Sequence, residues 1–437
     1  MTKQVFKNFI IYSSGAIVSR GITATITLSA TNFLSTSEFG LLSLLNTFIA
    51  IVPIFLNLGL RQVFGLDFFH TDNTGRRKII EDIISIYLLI AIPILILLIS
   101  FIPKFNKLLF LNQLDPKIIL IALVICFMHF FTELLFQVFR YQSKSLHLSL
   151  TQILMGSTNA LCAIILIKFF NFKIMGLILS NLTSMLLIFI YGLWLYFKKI
   201  GYLKPKLINK NIIKYYLLTG FPFIPSIMFS WILSFADRWI LAQYTSLEQV
   251  GIYSLADSFG QLFQMFILYP LSGSYIPYIF ETFSKNKENI LDIDKLNQKN
   301  MWLSMFIMFI IVIIGFAFSK KILFWIIPAK FHEAINYILI ILMSQIIFMG
   351  SYFATCYLQF FKRVYLLVSF TIISAILNSI LNILLVPKFG IYGCLFSTFI
   401  AYVFYLAIIL IVTKSVKDKA IKLLPKPNMI LFRTRSW

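Results

Sequence analysis

The chain has 437 residues, of which 59% are hydrophobic and 12% charged, with a mean hydropathy of +0.89. That is more apolar surface than a soluble domain can hide, which excludes soluble globular and disordered classes and leaves an integral membrane protein. The formal net charge of +22 invites a nucleic-acid reading, but no segment is long enough to form a soluble basic module with exposed aromatics, so nucleic acid is set aside as a partner.

A helix needs roughly 20 mostly apolar residues to cross the hydrocarbon core. About twelve such runs follow one another, at residues 8–34, 40–65, 79–102, 117–140, 147–170, 174–197, 213–243, 251–281, 300–325, 335–361, 365–386 and 392–414. They are far longer than the roughly ten-residue strands of a membrane barrel and apolar on most faces, so the predicted fold is an all-α polytopic bundle. The first run exceeds the roughly 7–15 residues of a signal-peptide core and lacks a small-x-small cleavage site, so it counts as helix 1.

Polar residues inside these runs fall into stripes at helical spacing. Helix 1 carries Arg20, Thr23, Thr27 and Thr31, and helix 2 carries Asn46, Asn57 and Arg61, with Pro53 and Gly59 as places to bend. Helix 4 carries His129, Glu133, Gln137 and Arg140, for which the structural alternative to a site is a network within the helix. In helix 7, Ser226, Ser230, Ser234 and Asp237 share a face. Arg238 is turned from Asp237 by about 100°. The pair is therefore not expected to close on itself; Asp237 is expected to meet an arginine of the first half, and Arg238 to point into a cavity. Helix 8 adds Tyr253, Asp257, Gln261 and Gln264, and helix 11 adds Thr371, Asn378 and Asn382.

The basic residues are unevenly placed. The N-terminus, the even-numbered loops and the C-terminal tail hold 26 of the 38 Lys and Arg, against 9 on the opposite side and three within helices. The positive-inside rule makes the richer side cytoplasmic, with both termini there. The four cysteines, Cys126, Cys162, Cys356 and Cys394, lie in predicted helices without CxxC spacing or a nearby histidine, as packing residues do. No metal site or cofactor is implied, and there is no P-loop.

The halves also resemble each other. "TSEFGLLSL" (36–44) matches "SLEQVGIYSL" (246–255), aligning Gly40 with Gly251 at an offset of 211. "FNFKIMGLILS" (170–180) matches "PKFGIYGCLFS" (387–397), aligning Gly176 with Gly393 and Ser180 with Ser397 at an offset of 217. This predicts a duplicated six-helix unit, and because six is even the two copies run parallel through the bilayer. The expected lobes are residues 1–205 and 206–437, the second ending in a short basic tail, with a hinge in the loop "KKIGYLKPKLINKN" around 198–212. Parallel repeats are one plan of transporters, with the substrate between lobes near the midplane. Helices 1, 2, 7 and 8 are expected to line that space.

Ionisable groups inside a membrane are costly and mark functional sites by default. Arginine keeps its proton when desolvated and grips phosphate through paired N–H donors, so Arg20, Arg61 and Arg238 suit an anionic ligand. Asn57, Gln261 and Asn378 are candidates for the same cavity. Glu133, Asp237 and Asp257 are cavity acids that could instead take a coupling proton or sodium ion.

The stretch "GFPFIP" (220–225), followed by "DRWIL" and "VGIYSLA", resembles the seventh-helix signature of polysaccharide flippases of the Wzx type, within the multidrug/oligosaccharidyl-lipid/polysaccharide exporter superfamily. The resemblance extends through Arg20, "EFG" (38–40), "NLGL" (57–60), Asn378, Asn382 and "PKFGIYG". Ser37 departs from it, since the family often has proline before this glutamate. The resemblance implies a V-shaped, MATE-like bundle of two lobes in the bacterial cytoplasmic membrane. It would move undecaprenyl-pyrophosphate-linked oligosaccharide units between leaflets by alternating access, for O-antigen, capsule or exopolysaccharide synthesis. A polysaccharide polymerase and chain-length machinery would be its partners.

Two rivals belong to other classes. "DNTGRRK" (72–78) echoes a loop motif of major facilitator antiporters, with Phe68 where that motif has glycine, and a drug or ion exporter of the same superfamily is a closer alternative. A membrane polymerase or glycosyltransferase could use "DID" (292–294) as a metal motif. It is expected in a short cytoplasmic loop without a nucleotide-binding fold, so the protein is not expected to be an enzyme.

Overall fold

In hydrocarbon each backbone N–H and C=O must find its partner within the same segment, so apolar runs of this length become helices. A computed structural model describes residues 3–71, 73–200, 209–286 and 289–423, and among these every regular element is helical. The crossings are α1 (Lys3–Phe33), α2 (Thr36–Asn57), α3 (Asn73–Ser100), α4 (Pro116–Tyr141), α5 (Ser145–Lys168) and α6 (Lys173–Ile200). The second six begin with α7, built of Lys210–Gly220, Phe223–Phe235 and Asp237–Tyr244. α8 runs Leu247–Phe263, through a π-turn at Gln264–Leu268, into Tyr269–Lys285. α9 (Ile290–Ile326), α10 (Ala334–Phe360), α11 (Val364–Phe389) and α12 (Ile391–Leu423) complete the bundle. Among the described residues ten of these helices are long and apolar enough to span a membrane. α8 is divided at its π-turn, and part of α1 lies outside the residues whose side chains are described.

The two sets of six pack alike. α1 lies on α5 as α7 lies on α11; α2 meets α4 as α8 meets α10; α3 meets α4 as α9 meets α10; and α6 and α12 each close against the fourth and fifth helices of their set. This is the parallel six-helix repeat that the sequence matches predict. The repeat reaches the helix caps: Ser35 and Glu38 form a capping box at the start of α2, and Ser246 caps α8, accepting from the Gln249 N–H at 3.4 Å. Ser35→Ala is expected to cost about 1 kcal/mol, read as a lower midpoint in thermal unfolding.

The aligned positions Gly40 and Gly251 also touch each other. α2 packs on α8 so closely that a Cβ on Gly40 would strike the Leu247 carbonyl oxygen, and one on Gly251 that of Thr36. One turn further in, Ser254 Oγ donates to Ser43 Oγ at 2.7 Å, and these two residues again differ by the offset of the repeat.

Several boundaries differ from the sequence expectation. Helix 2 does not run to residue 65: Leu58 and Gly59 adopt left-handed backbone, φ 45° and 78°, and a short helix Leu60–Asp67 follows. Gly59 is needed there because its backbone rests against the Gly220 carbonyl of α7, with no room for a Cβ. The 103–116 stretch, read as a loop, begins with a helix, Ile102–Leu109. The "DID" residues lie in the first turn of α9 rather than in a loop, because Ile290 and Ile293 pack against Ile279 and Phe283 of α8 and draw the segment into the helix. Asp294 is buried there and accepts from Gln298 at 2.9 Å. Most of the expected hinge, at 201–208, and the basic tail at 424–437 lie outside the described residues, as does Asp72 of "DNTGRRK". The four cysteines are free, and Cys126, Cys356 and Cys394 are buried.

Candidate functional site: two cavities between the halves

The first cavity, about 450 Å³, is bounded by α1, α2, α7 and α8, the four helices expected to line the central space. Its polar wall consists of Thr23 and Thr27 from α1, Ser43 and Asn46 from α2, Arg238 from α7, and Ser254, Ser258, Gln261 and Gln264 from α8. The hydroxyls of Thr23, Thr27 and Ser258 donate to the carbonyl four residues before each, which lets them sit on a membrane helix without an orphaned donor. Arg20, predicted on this stripe, is in α1, and its side chain lies outside the described residues.

Arg238 borders this cavity but is almost wholly covered, its side chain 3% exposed. Contrary to the expectation that neighbouring charges turn away from each other, it pairs with Asp237 at 3.3 Å. The reason is local: the Asp237 carboxylate turns back along the helix and accepts from the Arg238 backbone N–H at 2.8 Å, which brings it within reach of that residue's long side chain. The guanidinium then bends back onto that carboxylate and onto the Ser234 carbonyl, and its other amine reaches Asp257 of α8. Tyr253 donates to the second Asp237 oxygen, and Gln261 donates to Asp257 at 2.9 Å. Asp237 therefore finds its cation beside it rather than in the first half. The cluster holds two carboxylates for one guanidinium, next to a void of about 20 Å³ bordered by Ser344, Thr398 and Tyr402.

The second cavity, about 360 Å³, lies between α2, α4 and α7 and meets the first at Phe235, which lines both. Here stand Asn57, Arg61, His129 and Glu133, four of the predicted site residues or their stripe neighbours. Arg61 Nη1 donates to Glu133 Oε2 at 3.0 Å. The helix 4 stripe is thus not a network closed within its own helix: Glu133 reaches across to the short helix that follows α2, and Gln137 Nε2 donates to the Arg61 carbonyl at 3.3 Å and to the Tyr141 hydroxyl. This pair keeps contact with the cavity, with side chains 35% and 30% exposed.

Asn378 stands apart from both cavities. It is buried between α11 and α12, where it donates to Thr398 and accepts from Asn382, a pattern of helix-to-helix adhesion. Two contributors escaped the sequence reading. Phe235, the septum between cavities, carries no polar signal, and the Asp67–Tyr215 hydrogen bond, 2.8 Å, joins a segment read as membrane to one read as its edge. Among the described residues no three His, Cys, Asp or Glu side chains gather as a metal site.

Comparison with known proteins agrees with this architecture. No curated protein matches the chain. Among solved structures it is similar to an inward-facing multidrug resistance MATE family transporter of the MOP superfamily, at a TM-score of 0.74 and 13% identity over 97% of this chain and 96% of that one. It is also similar to the lipid II flippase MurJ in an inward closed conformation, at 0.75 and 15% over 94% and 89%, and to an outward-facing MATE family transporter at 0.63 and 15% over 96% and 97%. At such identities the likeness is one of fold: a V-shaped, MATE-like bundle of two six-helix lobes. Residues 222–384 match the family described as MatE. Residues 5–283, well over half of the sequence, match the family described as polysaccharide biosynthesis protein, and the chain belongs to that family.

Proposed function

We propose that this protein carries undecaprenyl-pyrophosphate-linked oligosaccharide units across the bacterial cytoplasmic membrane for surface polysaccharide synthesis. The observation that carries the reading is a cavity of about 450 Å³ with a polar wall, lying between two membrane lobes in a chain of the polysaccharide biosynthesis family. A polar head group needs such a path, because the hydrocarbon core offers it no partners. With both termini in the cytoplasm, as the positive-inside rule predicts, the Gly40–Gly251 contact lies toward the extracytoplasmic end and would close it. Greater likeness to inward-facing than to outward-facing relatives supports the same state. On this reading Arg20 and Arg61 present cations to the head group, while Arg238 is held by its acids until the lobes move. The excess carboxylate of the Asp237–Arg238–Asp257 cluster calls for a proton or sodium ion, which gives transport a coupling site in the second lobe.

The test is the orientation of lipid-linked units in sealed vesicles, scored by accessibility of the sugars to lectin. Loss of the protein is expected to trap them in the cytoplasmic leaflet. Wild type should rescue, Arg20→Ala should insert in the membrane without rescuing, and Arg20→Lys should recover part of the rate. Normal translocation in its absence, with altered drug or ion efflux, would favour the exporter reading, which the MatE match over 222–384 keeps as the second choice.

A further inference from the structure

Of the two intramembrane arginines with described side chains, Arg238 is enclosed by acids and Arg61 is not. Arg61 has a single carboxylate partner, Glu133, and both side chains border the second cavity with about a third of their surface open. A buried multi-partner cluster resists exchange, whereas a half-open pair exchanges readily with another anion. Guanidinium takes carboxylate or phosphate through the same donors, and a multiply charged phosphate is the stronger competitor.

The position of this pair matters as much as its exposure. Arg61 lies in the first turn of the short helix Leu60–Asp67, just after the left-handed break at Leu58 and Gly59. On one side that helix is fastened to α4 by Arg61–Glu133 and by Gln137 to the Arg61 carbonyl. On the other it is fastened to α7 of the second lobe by Gly59 against Gly220 and by the Tyr215 hydroxyl donating to Asp67. The short helix therefore bridges the lobes, and of its ties to α4, which also include Phe64 against the Tyr141 ring, the ion pair is the exchangeable one.

We propose that Glu133 is a displaceable internal counter-ion: it holds Arg61 while the cavity lacks an anionic ligand and yields it to the phosphate group of the substrate. Occupancy then breaks the ion-pair tie to α4 and loosens the short helix there, leaving Gln137 and the Tyr141 ring to hold it while its contacts to α7 stay intact. A carboxylate left without its cation inside the bundle is unfavourable, so Glu133 also drives ligand release by reclaiming Arg61. The assignment rests on the translocation reading for the identity of the ligand, and its role is that of a positioning residue.

The experiment titrates inorganic pyrophosphate into the full-length protein in nanodiscs by calorimetry. Glu133→Gln is expected to bind about tenfold more tightly than wild type, about 1.4 kcal/mol, and Glu133→Asp to show a smaller gain. Removing the cation as well, in Arg61→Gln with Glu133→Gln, should abolish the gain. In sealed vesicles Glu133→Gln should lower KM and kcat together for the lipid-linked glycan, whereas loss of a merely structural pair would raise KM or leave it unchanged. Pyrophosphate binding no tighter in Glu133→Gln, or a gain that survives without Arg61, overturns the counter-ion role. If Glu133→Gln is not monodisperse, Glu133→Asp decides by the same sign. The predicted binding shifts in a protein that moves no lipid-linked glycan would instead overturn the translocation reading and leave the counter-ion standing.

Discussion

Arg238→Ala is expected to unfold the second lobe rather than only slow transport. The substitution strands Asp237 and Asp257 in the bundle interior, where both carboxylates now share one guanidinium and would keep only neutral donors, the Tyr253 hydroxyl and the residue-238 backbone N–H for Asp237 and Gln261 for Asp257. Breaking a buried ion pair from one side costs about 3–5 kcal/mol, a large part of a typical folding free energy. Thermal unfolding of the purified protein should show a large drop in midpoint or loss of a monodisperse species. The neutral triple variant Asp237→Asn, Arg238→Met, Asp257→Asn removes all three charges together and should recover most of that stability without recovering transport. An Arg238→Ala protein that melts with wild type would mean that the cluster contributes nothing to the fold.

The second large effect is expected at the contact between lobes. Gly40 and Gly251 bring α2 and α8 to backbone distance, and the atoms that a side chain would strike are carbonyl oxygens, which cannot swing aside as a flexible side chain could. Gly40→Leu should therefore force the two helices apart, at a cost of about 1–3 kcal/mol or more for the closed state. The readout is a disulfide between Ser43→Cys and Ser254→Cys, whose hydroxyls are 2.7 Å apart in the parent. Cross-linking should be fast in that background and fall at least about tenfold when Gly40→Leu is added, since 1.4 kcal/mol is a factor of ten in population. Gly315→Leu, where a Cβ meets nothing within 4 Å, is the matched control and should leave cross-linking unchanged. Equal cross-linking in both would show that the lobes close without this contact.

The helices were legible in the sequence because burial in lipid leaves the chain one solution, and the duplication was legible because Gly40 and Gly251 are constrained by each other. The same reasoning erred where local backbone decides the outcome. The turn of about 100° between adjacent helical residues fixes where the Cβ atoms point, but the Asp237 carboxylate folds onto the Arg238 backbone N–H and the long Arg238 side chain bends back to it, so the two close on each other. The stop of helix 2 at Asn57 was marked only by Gly59, whose glycine answers to Gly220 some 160 residues away. The stripes on helices 1, 2, 7 and 8 did find the cavity walls, since a polar face in a membrane must turn toward other polar groups. Asn378 obeyed the same rule by bonding to Asn382 and Thr398, and periodicity alone does not distinguish a wall from a seam.

The π-turn at Gln264–Leu268 has a consequence for the duplicated design. Such a turn holds one residue more than the α-turn it replaces, so the helix beyond it is rotated by about 100°. α2, its counterpart, is regular from Thr36 to Asn57 and has no such turn. The two walls, alike at Gly40 and Gly251, thus become unlike beyond the turn: α8 lines the cavity as far as Tyr269, whereas its counterpart at the same offset, Leu58, follows the end of α2 and does not line it. A bundle with two equivalent halves would accept a ligand equally well in either of two orientations related by its axis. This one has lost that equivalence at its centre, so the two orientations about the axis are no longer alike for a ligand with distinct ends.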